Sequence, residues 1–320
     1  MKLIFMGTPD FAVGTLEALV QAGHEIVLAV TQPDKPQGRK QVLVAPPVKE
    51  KALELGIPVF QPKRVREPDS LRVLKDYEPE LIVVAAFGQI LPKELLDLPK
   101  YGCINVHASL LPKYRGAAPI QWSILNGDDV TGVTIMRMDV GLDTGDMIAK
   151  TEVKIAPEDT GGTLFDRLAE TGARLCVETI PSIVDGTAVY TPQDESAATK
   201  VGMIKKQDGL IDFSRSARAI ECQVRGLNPW PSAYTSLAGK TLKIWSAEVC
   251  GDSDASDDDS VSGIASATPG MVVFIKKDCF GIQTGDGILV CKEVQLEGKK
   301  RMSAGDFLRG ISIEVGTKLG

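Results

Sequence analysis

The sequence predicts an α/β protein in which a doubly wound, mostly parallel sheet is followed by a smaller β-rich domain. Residues 1–189 alternate between apolar, β-branched segments and helix-like segments, a pattern typical of a parallel sheet buried on both faces. After a small, polar stretch at 190–206, short strand-like segments recur at regular spacing, which indicates a small β-barrel or sandwich. We therefore expect domains at 1–189 and 207–320, joined by a linker at 190–206.

Short apolar runs define the strands of the first domain, and the longest uninterrupted run is the seven residues of Leu81–Phe87. The predicted strands are 2–6, 25–31, 58–60, 81–86, 103–107 and 132–138. The first helix-like segment follows the strand at 2–6 and ends at about residue 23. Further helix-like segments cover 47–55, 70–77, 120–125 and 160–184, and the last of these has a 3.6-residue apolar period. In the second domain we expect a helix at 214–224 and strands at 240–248, 270–275, 281–284 and 287–294.

The composition is that of an ordinary globular protein. The 320 residues are 43% hydrophobic and 24% charged, with a net charge of −6, and no apolar stretch approaches the ~20 residues of a membrane span. The six cysteines form no CxxC pair and only two histidines are present, so we expect reduced thiols, a cytoplasmic location and no metal site. A monomer is the default expectation.

The segment at 103–107 ends in two polar residues that are candidates for chemistry. Asn105 and His107 alternate along a predicted strand, so their side chains leave the same face. Ligands of open α/β sheets bind beyond the carboxyl ends of the strands. A side-chain amide can stabilise a developing oxyanion, and an imidazole can carry a proton near neutral pH. A histidine at a strand end can equally be a satisfied structural group.

Residues 138–148 form a glycine-rich turn that contains Asp139, Asp143 and Asp146. A carboxylate beside the imidazole would orient it and help to move a proton. The more common role of an aspartate next to glycine is to accept hydrogen bonds from backbone amides of the turn. The sequence favours that role for two of the three aspartates without distinguishing which.

A loop at 32–47 carries Lys35, Arg39 and Lys40 among proline and glycine residues. Loops of this length in a compact domain are commonly functional, and these side chains could meet phosphates or base edges. A loop that is simply solvated fits the composition equally well.

Taken together, several motifs resemble the signature of the folate-dependent formyltransferases. They are Asn105-Val106-His107, the stretch SLLPKYRGAAPIQW at 109–122 and Asp143 within GLDTGD. The opening FMGTPDFA, the loop TQPDKPQGRK and RGLNPWPSAYT at 225–235 extend the resemblance across the full chain. They are similar to the branch of the family that formylates a charged initiator tRNA.

The resemblance implies a Rossmann-like formyltransferase domain followed by an OB-like barrel that holds tRNA. The donor would be 10-formyltetrahydrofolate, and the acceptor the α-amino group of methionyl initiator tRNA. Asn105 would hold the formyl oxygen, His107 would handle the proton, and Asp143 would orient His107. No metal is implied.

The same resemblance assigns binding residues. The folate site would be lined, largely through backbone atoms, by Ser109, Leu110, Leu111 and Pro112, with the pterin near Phe87 and Ile90. Arg39, accompanied by Lys35 and Lys40, would probe the acceptor stem of the tRNA. The five aspartates in residues 251–260 depart from this pattern, and we expect that run to loop away from the RNA because its charges would repel phosphates.

Two other functions remain open at this point. A relative of the same fold that acts on a nucleotide-sugar amine or a small glycinamide would share Asn105, His107 and Asp143. Alternatively, the chain could be a non-catalytic nucleic-acid-binding protein in which these three residues tolerate replacement.

Overall fold

The computed structural model describes residues 1–38, 41–250 and 267–320. The chain divides into two compact units, each assembled from separate segments. The first comprises Met1–Pro119, Val130–Lys154 and Leu164–Gly202, and the second comprises Ile120–Asp129, Ile155–Thr163 and Met203–Gly320. The domain limits expected from the sequence, with a linker at 190–206, stay a prediction.

The first unit is built on a seven-stranded, mostly parallel sheet, as the sequence predicts. In chain order the strands of this unit are β1 (Lys2–Gly7), β2 (Glu25–Val30), β3 (Lys35–Gln37), β4 (Val42–Val44), β5 (Val59–Phe60), β6 (Leu81–Ala85), β7 (Cys103–His107), β8 (Arg115–Gly116), β9 (Val130–Arg137), β10 (Met147–Lys154) and β11 (Lys200–Val201). The sheet order is β10-β9-β7-β6-β1-β2-β5. The five strands from β5 to β7 run parallel, whereas β9 and β10 are antiparallel to their neighbours.

Helices connect these strands. They are α1 (Asp10–Gln21), α2 (Pro47–Glu54), α3 (Pro68–Asp76), α4 (Lys93–Leu96), α5 (Pro119–Leu125) and α6 (Gly161–Asp185). Proline begins both α2 and α3, a position where its missing N–H costs no hydrogen bond. Within the described residues, no helix is long and apolar enough to cross a membrane.

The sheet core explains why the central strands read as continuous apolar runs. Every residue of β6 is buried, and so is all of β1 after Lys2. One core cluster joins Ile4 and Val84 of these strands to Phe87, Leu91 and Leu95 beyond β6. Burial on both faces of a parallel sheet requires apolar residues at successive positions, so the alternation typical of a half-exposed strand is missing.

Several elements differ from the sequence prediction. Strands β3 and β4 pair antiparallel within the segment expected to be a loop. The edge strand β10 was not predicted, because MIAKTEVK is only partly buried and polar residues dominate its second half. In the second unit the strand at 233–237 and a C-terminal helix were also missed, since both are short.

The second unit contains a six-stranded antiparallel sheet, in agreement with the β-rich domain predicted from the sequence. Its elements are α7 (Ala217–Gly226), β12 (Ala233–Leu237), β13 (Lys240–Val249), β14 (Val272–Ile275), β15 (Phe280–Gln283), β16 (Ile288–Leu296), β17 (Met302–Ser303) and α8 (Ala304–Gly310). The order is β12-β13-β16-β15-β14, with β17 paired to β16. Ile220 of α7 and Phe307 of α8 are buried in one core with Ile244 and Val294 of the sheet.

Gly7 ends β1 at a point where the chain turns tightly into α1. A Cβ atom at this position would lie 2.6 Å from the Cβ of Ala12 and 3.0 Å from the carbonyl oxygen of Ala85. We predict that Gly7→Ala destabilises the protein by about 1–3 kcal/mol through this overpacking. Gly14→Ala is the control, because Gly14 lies inside α1 with only Ala173 within 4.0 Å. That replacement should stabilise by about 0.5–1 kcal/mol, and equal effects of the two in urea unfolding would contradict the argument.

Candidate active site

Two polar side chains emerge from β7, in the centre of the first unit's sheet. Asn105 pairs with Val84 on one side and Met136 on the other, and His107 pairs with Thr134. Their alternate positions place both side chains on one face of the sheet. They are only 9% and 6% exposed, respectively. The predicted strand end therefore lies at the carboxyl end of the parallel strands, where ligands bind in this class of sheet.

The His107 ring is held by one of its nitrogens. Nε2 lies 3.1 Å from the carbonyl oxygen of Tyr114, and a carbonyl oxygen only accepts hydrogen bonds, so Nε2 carries the proton. In the neutral ring Nδ1 then has a free lone pair. Nδ1 faces Oδ2 of Asp143 at 3.8 Å, a separation that leaves room for a shared hydrogen-bond donor between the two groups.

The three aspartates of residues 138–148 have different surroundings. Oδ1 of Asp139 accepts hydrogen bonds from the amide of Gly141 and the hydroxyl of Thr144, the turn role that the sequence favours. Asp143 has a backbone φ of 53°, and its Oδ2 accepts from the amide of Gly116 at 2.8 Å. Only Asp143 meets His107 among the described ion pairs, so the structure brings together one of the three candidates and the imidazole.

The side-chain amide of Asn105, unlike the His107 ring, is not held by a hydrogen bond to another described residue. Its side chain takes part in none of the hydrogen bonds formed among the described residues, although it is nine-tenths buried. Its amide nitrogen and oxygen are not among the fully buried side-chain atoms that lack a partner in the described residues, so the end of this side chain is accessible. An amide that remains open at a strand end is thus available to a bound molecule.

Residues 109–113 form a rigid turn beside β9. The hydroxyl of Ser109 donates to the carbonyl of Lys113 at 2.6 Å, and the hydroxyl of Thr134 donates to the carbonyl of Ser109 at 2.7 Å. The amide of Leu111 in turn donates to Thr134 at 3.1 Å. Thr134 is fully buried, and the sequence analysis does not single it out; its signal is a hydroxyl between the apolar residues Val133 and Ile135.

The other predicted folate-lining residues occupy unlike environments. Leu110 contacts β9 at Gly132, where any side chain would collide with it, and Pro112 is half-buried. Phe87 packs its ring in the sheet core, while its carbonyl accepts hydrogen bonds from Thr8 and Gln32. Ile90, in contrast, is 73% exposed. The assignment of these residues to a pterin site stays a prediction.

The predicted basic residues are only partly described. Lys35 begins β3 and is exposed, whereas Arg39 and Lys40 lie outside the described residues, as does the acidic run at 251–260. The chain just before β3 is anchored by Asp34, which forms an ion pair with Lys49 at 2.7 Å and accepts from Gln61. The hydrogen bond from Lys49 and, to a smaller extent, the one from Gln61 lower the pKa of the Asp34 carboxyl group below its usual value.

Arg115 is a second residue whose importance the sequence analysis did not recognise. Its side chain is 1% exposed and forms two hydrogen bonds with the carboxylate of Glu195. Its Nε also donates to Oε1 of Gln193 at 3.0 Å. The signal in the sequence was an arginine inside an apolar motif, since a charge that is buried must be paired.

No thiolate or metal chemistry is suggested by the described residues. Desolvation by burial raises the pKa of the Cys103 thiol, two residues before Asn105, to about 12, so this thiol stays protonated and unreactive at neutral pH. No group of three or more histidine, cysteine, aspartate or glutamate residues in the described part of the chain is arranged to hold a metal ion.

Comparison with known proteins identifies the class of protein. The profile of the family described as formyl transferase matches residues 1–180, and that of its C-terminal domain matches residues 203–312. The chain therefore belongs to the formyl transferase family.

Sequence similarity along the whole chain points to one group of proteins within this family. The chain is 58% identical to methionyl-tRNA formyltransferase of Agathobacter rectalis over 317 residues, which is 99% of each chain. It is 50% identical to methionyl-tRNA formyltransferase of Bacillus subtilis, covering 100% of this chain and 98% of the relative. Within the family, the similarity is thus to methionyl-tRNA formyltransferases.

Solved structures support the fold. An N-formyltransferase from Helicobacter canadensis, in complex with folinic acid and dTDP-3-aminofucose, superposes with a TM-score of 0.65 at 20% identity, covering 94% of this chain and 100% of that one. A methionyl-tRNA formyltransferase from Clostridium thermocellum gives a TM-score of 0.51 at 18% identity, covering 78% and 94%. At these identities the likeness concerns the fold alone.

The Arg115–Glu195 pair should make stability depend on pH. The hydrogen bond from Arg115 lowers the pKa of Glu195, so the pair's contribution is present above the unfolded glutamate value of about 4.3. It is lost as the pH falls through the lower folded-state value. We predict that Glu195→Gln lowers the melting temperature at about pH 7, and that the difference from the parent protein shrinks towards about pH 3. Glu94→Gln, at an exposed position of α4, is the control; a difference for Glu195→Gln that persists in acid would contradict the linkage.

Proposed function

We propose that this protein transfers the formyl group of 10-formyltetrahydrofolate to the α-amino group of methionyl initiator tRNA, giving N-formylmethionyl-tRNA and tetrahydrofolate. Full-length similarity to methionyl-tRNA formyltransferases supports the substrates. The observation that carries the chemistry is the approach of His107 Nδ1 to Asp143 Oδ2, at 3.8 Å, while Nε2 is held by Tyr114.

The reaction makes three demands on the site. An amine must lose a proton to become a nucleophile, the formyl oxygen must be stabilised as it becomes an oxyanion, and the leaving nitrogen must receive a proton. An imidazole paired with a carboxylate serves the first and third demands. A side-chain amide serves the second. These are the groups that the residues Asp143, His107 and Asn105 supply.

The proton path follows from the geometry of His107. An ammonium group between Nδ1 and Asp143 Oδ2 can donate to both, because both atoms accept hydrogen bonds. Nδ1 can take one proton from this group, and the Asp143 carboxylate stabilises the imidazolium that results. The neutral amine then attacks the formyl carbon, and its nitrogen is again positively charged in the tetrahedral intermediate. This nitrogen loses a second proton, and the leaving nitrogen gains a proton as its bond to the formyl carbon breaks. Of the two protons lost from the ammonium, one therefore ends on tetrahydrofolate and one is released.

Asn105 is proposed to donate a hydrogen bond to the formyl oxygen. Its amide is nearly buried and makes no hydrogen bond with other described residues, so binding does not require breaking an existing contact. A donor that is already oriented needs little reorganisation when charge develops on the oxygen. Attack is direct in this scheme, because the protonated thiol of Cys103 is not an activated nucleophile.

The turn at 109–112 fits a role in binding the folate. Bound folate supplies a formyl group activated for transfer. Thr134 holds the backbone of Ser109 and Leu111 through two hydrogen bonds, so this backbone presents fixed groups to a ligand. Ser109, Leu110, Leu111 and Pro112 are proposed to line the site, and exposed Ile90 to cover the pterin with the backbone around Phe87.

Two surfaces are proposed to contact the tRNA. Lys35, Arg39 and Lys40 all belong to the sequence segment 32–47, and cations there can meet phosphates. In the second unit, the ring of Trp245 is flanked by Lys243 at 5.3 Å and Arg301 at 4.9 Å. An aromatic ring between cations is a common platform for nucleic acid. We further propose a cytoplasmic monomer that needs no metal.

The function is tested by transfer of a radiolabelled formyl group to methionyl initiator tRNA, with uncharged tRNA as the control. We predict label in the charged tRNA only. Binding of the tRNA should weaken at least about tenfold between low and moderate salt, because phosphate contacts release counterions. Transfer to an amino-sugar nucleotide but not to the charged tRNA would instead identify a sugar formyltransferase, and binding without transfer would indicate a non-catalytic protein.

The role of Asn105 is tested by Asn105→Ala. Loss of the oxyanion donor should lower kcat by about 10²–10³-fold, with a small change in the KM for charged tRNA. Gln207→Ala, which removes an exposed amide from the second unit, is the matched control and should leave kcat unchanged. A normal kcat for Asn105→Ala would remove Asn105 from the mechanism.

A further inference from the structure

Residues 193–201, which lie within the segment that the sequence predicts to be a linker, run alongside the turn that carries Tyr114, the hydrogen-bond partner of His107. Strand β11 pairs in parallel with β8, matching Lys200 to Arg115 and Val201 to Gly116. The amide of Arg115 donates to the carbonyl of Thr199 at 2.8 Å. This segment therefore belongs structurally to the first unit and touches the backbone next to the proposed active site.

Gln193 connects this segment to the Asp143 turn. Its Nε2 donates to the carbonyl of Asp143 at 2.8 Å and to the carbonyl of Gly145 at 2.7 Å. Its Oε1 accepts from Nε of Arg115 at 3.0 Å. The guanidinium of Arg115 is in turn fixed by Glu195. Both donor hydrogens of the Gln193 amide are thus committed to the turn that carries Asp143.

The same segment also supports the other neighbour of His107. The hydroxyl of Thr199 accepts a hydrogen bond from the amide of Tyr114 at 2.8 Å, and the carbonyl of Tyr114 accepts from Nε2 of His107. Residues 193–201 therefore hold both groups that face the imidazole, Tyr114 through Thr199 and Asp143 through Gln193.

We propose that Gln193 is a positioning residue that keeps the carboxylate of Asp143 against His107; this rests on the proposed formyl transfer. Asp143 has a left-handed backbone, with φ of 53°, a conformation that aspartate adopts more readily than most residues with a Cβ and that hydrogen bonds from its surroundings stabilise further. Gln193 provides that restraint by binding the carbonyls on both sides of Thr144. Without it, Asp143 can relax and leave His107 without its anionic neighbour.

Two variants separate the contacts of Gln193. Gln193→Ala removes all of them, whereas Gln193→Glu keeps an oxygen that can accept from Arg115 but has no hydrogen to donate to the Asp143 turn. Both should lower kcat by about 10–100-fold, since small misplacements of reacting groups have effects of this size, with the KM for folate changed less than about twofold. Full kcat in Gln193→Glu would overturn the proposal, because the Arg115 contact alone would then suffice.

A double-mutant cycle tests whether Gln193 acts through Asp143. In an Asp143→Asn background, Gln193→Ala should change the residual kcat by less than about twofold, because the group that it positions is already gone. A full additional loss would indicate a general structural effect and overturn the proposal. Asp185→Ala is the control, since the Asp185 carboxylate lies at the end of α6, accepts hydrogen bonds from the amide and hydroxyl of Thr187 and has no described contact with residues 193–201; its loss should leave kcat unchanged.

A spectroscopic measurement needs no acceptor. The chain has two histidines, so the ring ¹⁵N signals of His107 can be assigned with a His24→Gln variant. Gln193→Ala, Gln193→Glu and Asp143→Asn should each shift the Nδ1 signal at fixed pH, and adding Gln193→Ala to Asp143→Asn should shift it no further. An unchanged His107 signal in folded Gln193→Ala would overturn the proposal. If the parent protein formylates no charged tRNA, the proposed function fails while this measurement still decides the role of Gln193.

Discussion

The hydrogen bond between His107 Nε2 and the carbonyl of Tyr114 is the constraint on which the rest of the site depends. A carbonyl oxygen cannot donate, so the bond sets both the orientation of the ring and the nitrogen that carries the proton. The lone pair of Nδ1 is consequently directed towards Asp143. In the other neutral tautomer Nδ1 would already carry the proton and could not accept one from an incoming amine.

The positions of Tyr114 and Asp143 on either side of His107 are maintained by residues that are distant in the sequence. Tyr114 and Asp143 are 29 positions apart, from residue 114 to residue 143, and both are bound by residues 193–201. Thr134, on β9, fixes the neighbouring turn at Ser109 and Leu111. Several strands thus rigidify one small region, and a site held on strands and short bonded turns keeps its geometry better than one on free loops.

The buried polar groups of the first unit differ in whether they are inert or paired within the protein or can still bind a substrate. Cys103 and Asn105 lie on the same strand, yet burial raises the thiol's pKa to about 12, whereas the amide stays without a hydrogen bond to other described residues. Arg115 is buried as well, but its charge is compensated by Glu195. The buried charge of Arg115 therefore holds a turn in place through its ion pair with Glu195. The proposed chemistry is carried by groups that can still form hydrogen bonds with a substrate.

The sequence by itself determined the mostly parallel sheet, the change to a β-rich second unit and the candidates Asn105 and His107, because local apolar patterns and the two-residue strand period are properties of neighbouring positions. It did not predict β10, β3 or β4, whose exposed or partly exposed residues lack that pattern. The local turn pattern left the three aspartates as equals, and only the family resemblance singled out Asp143. The contacts that place Asp143 beside His107 and tie it to residues 193–201 are visible only in the tertiary structure, since they join residues up to 85 positions apart.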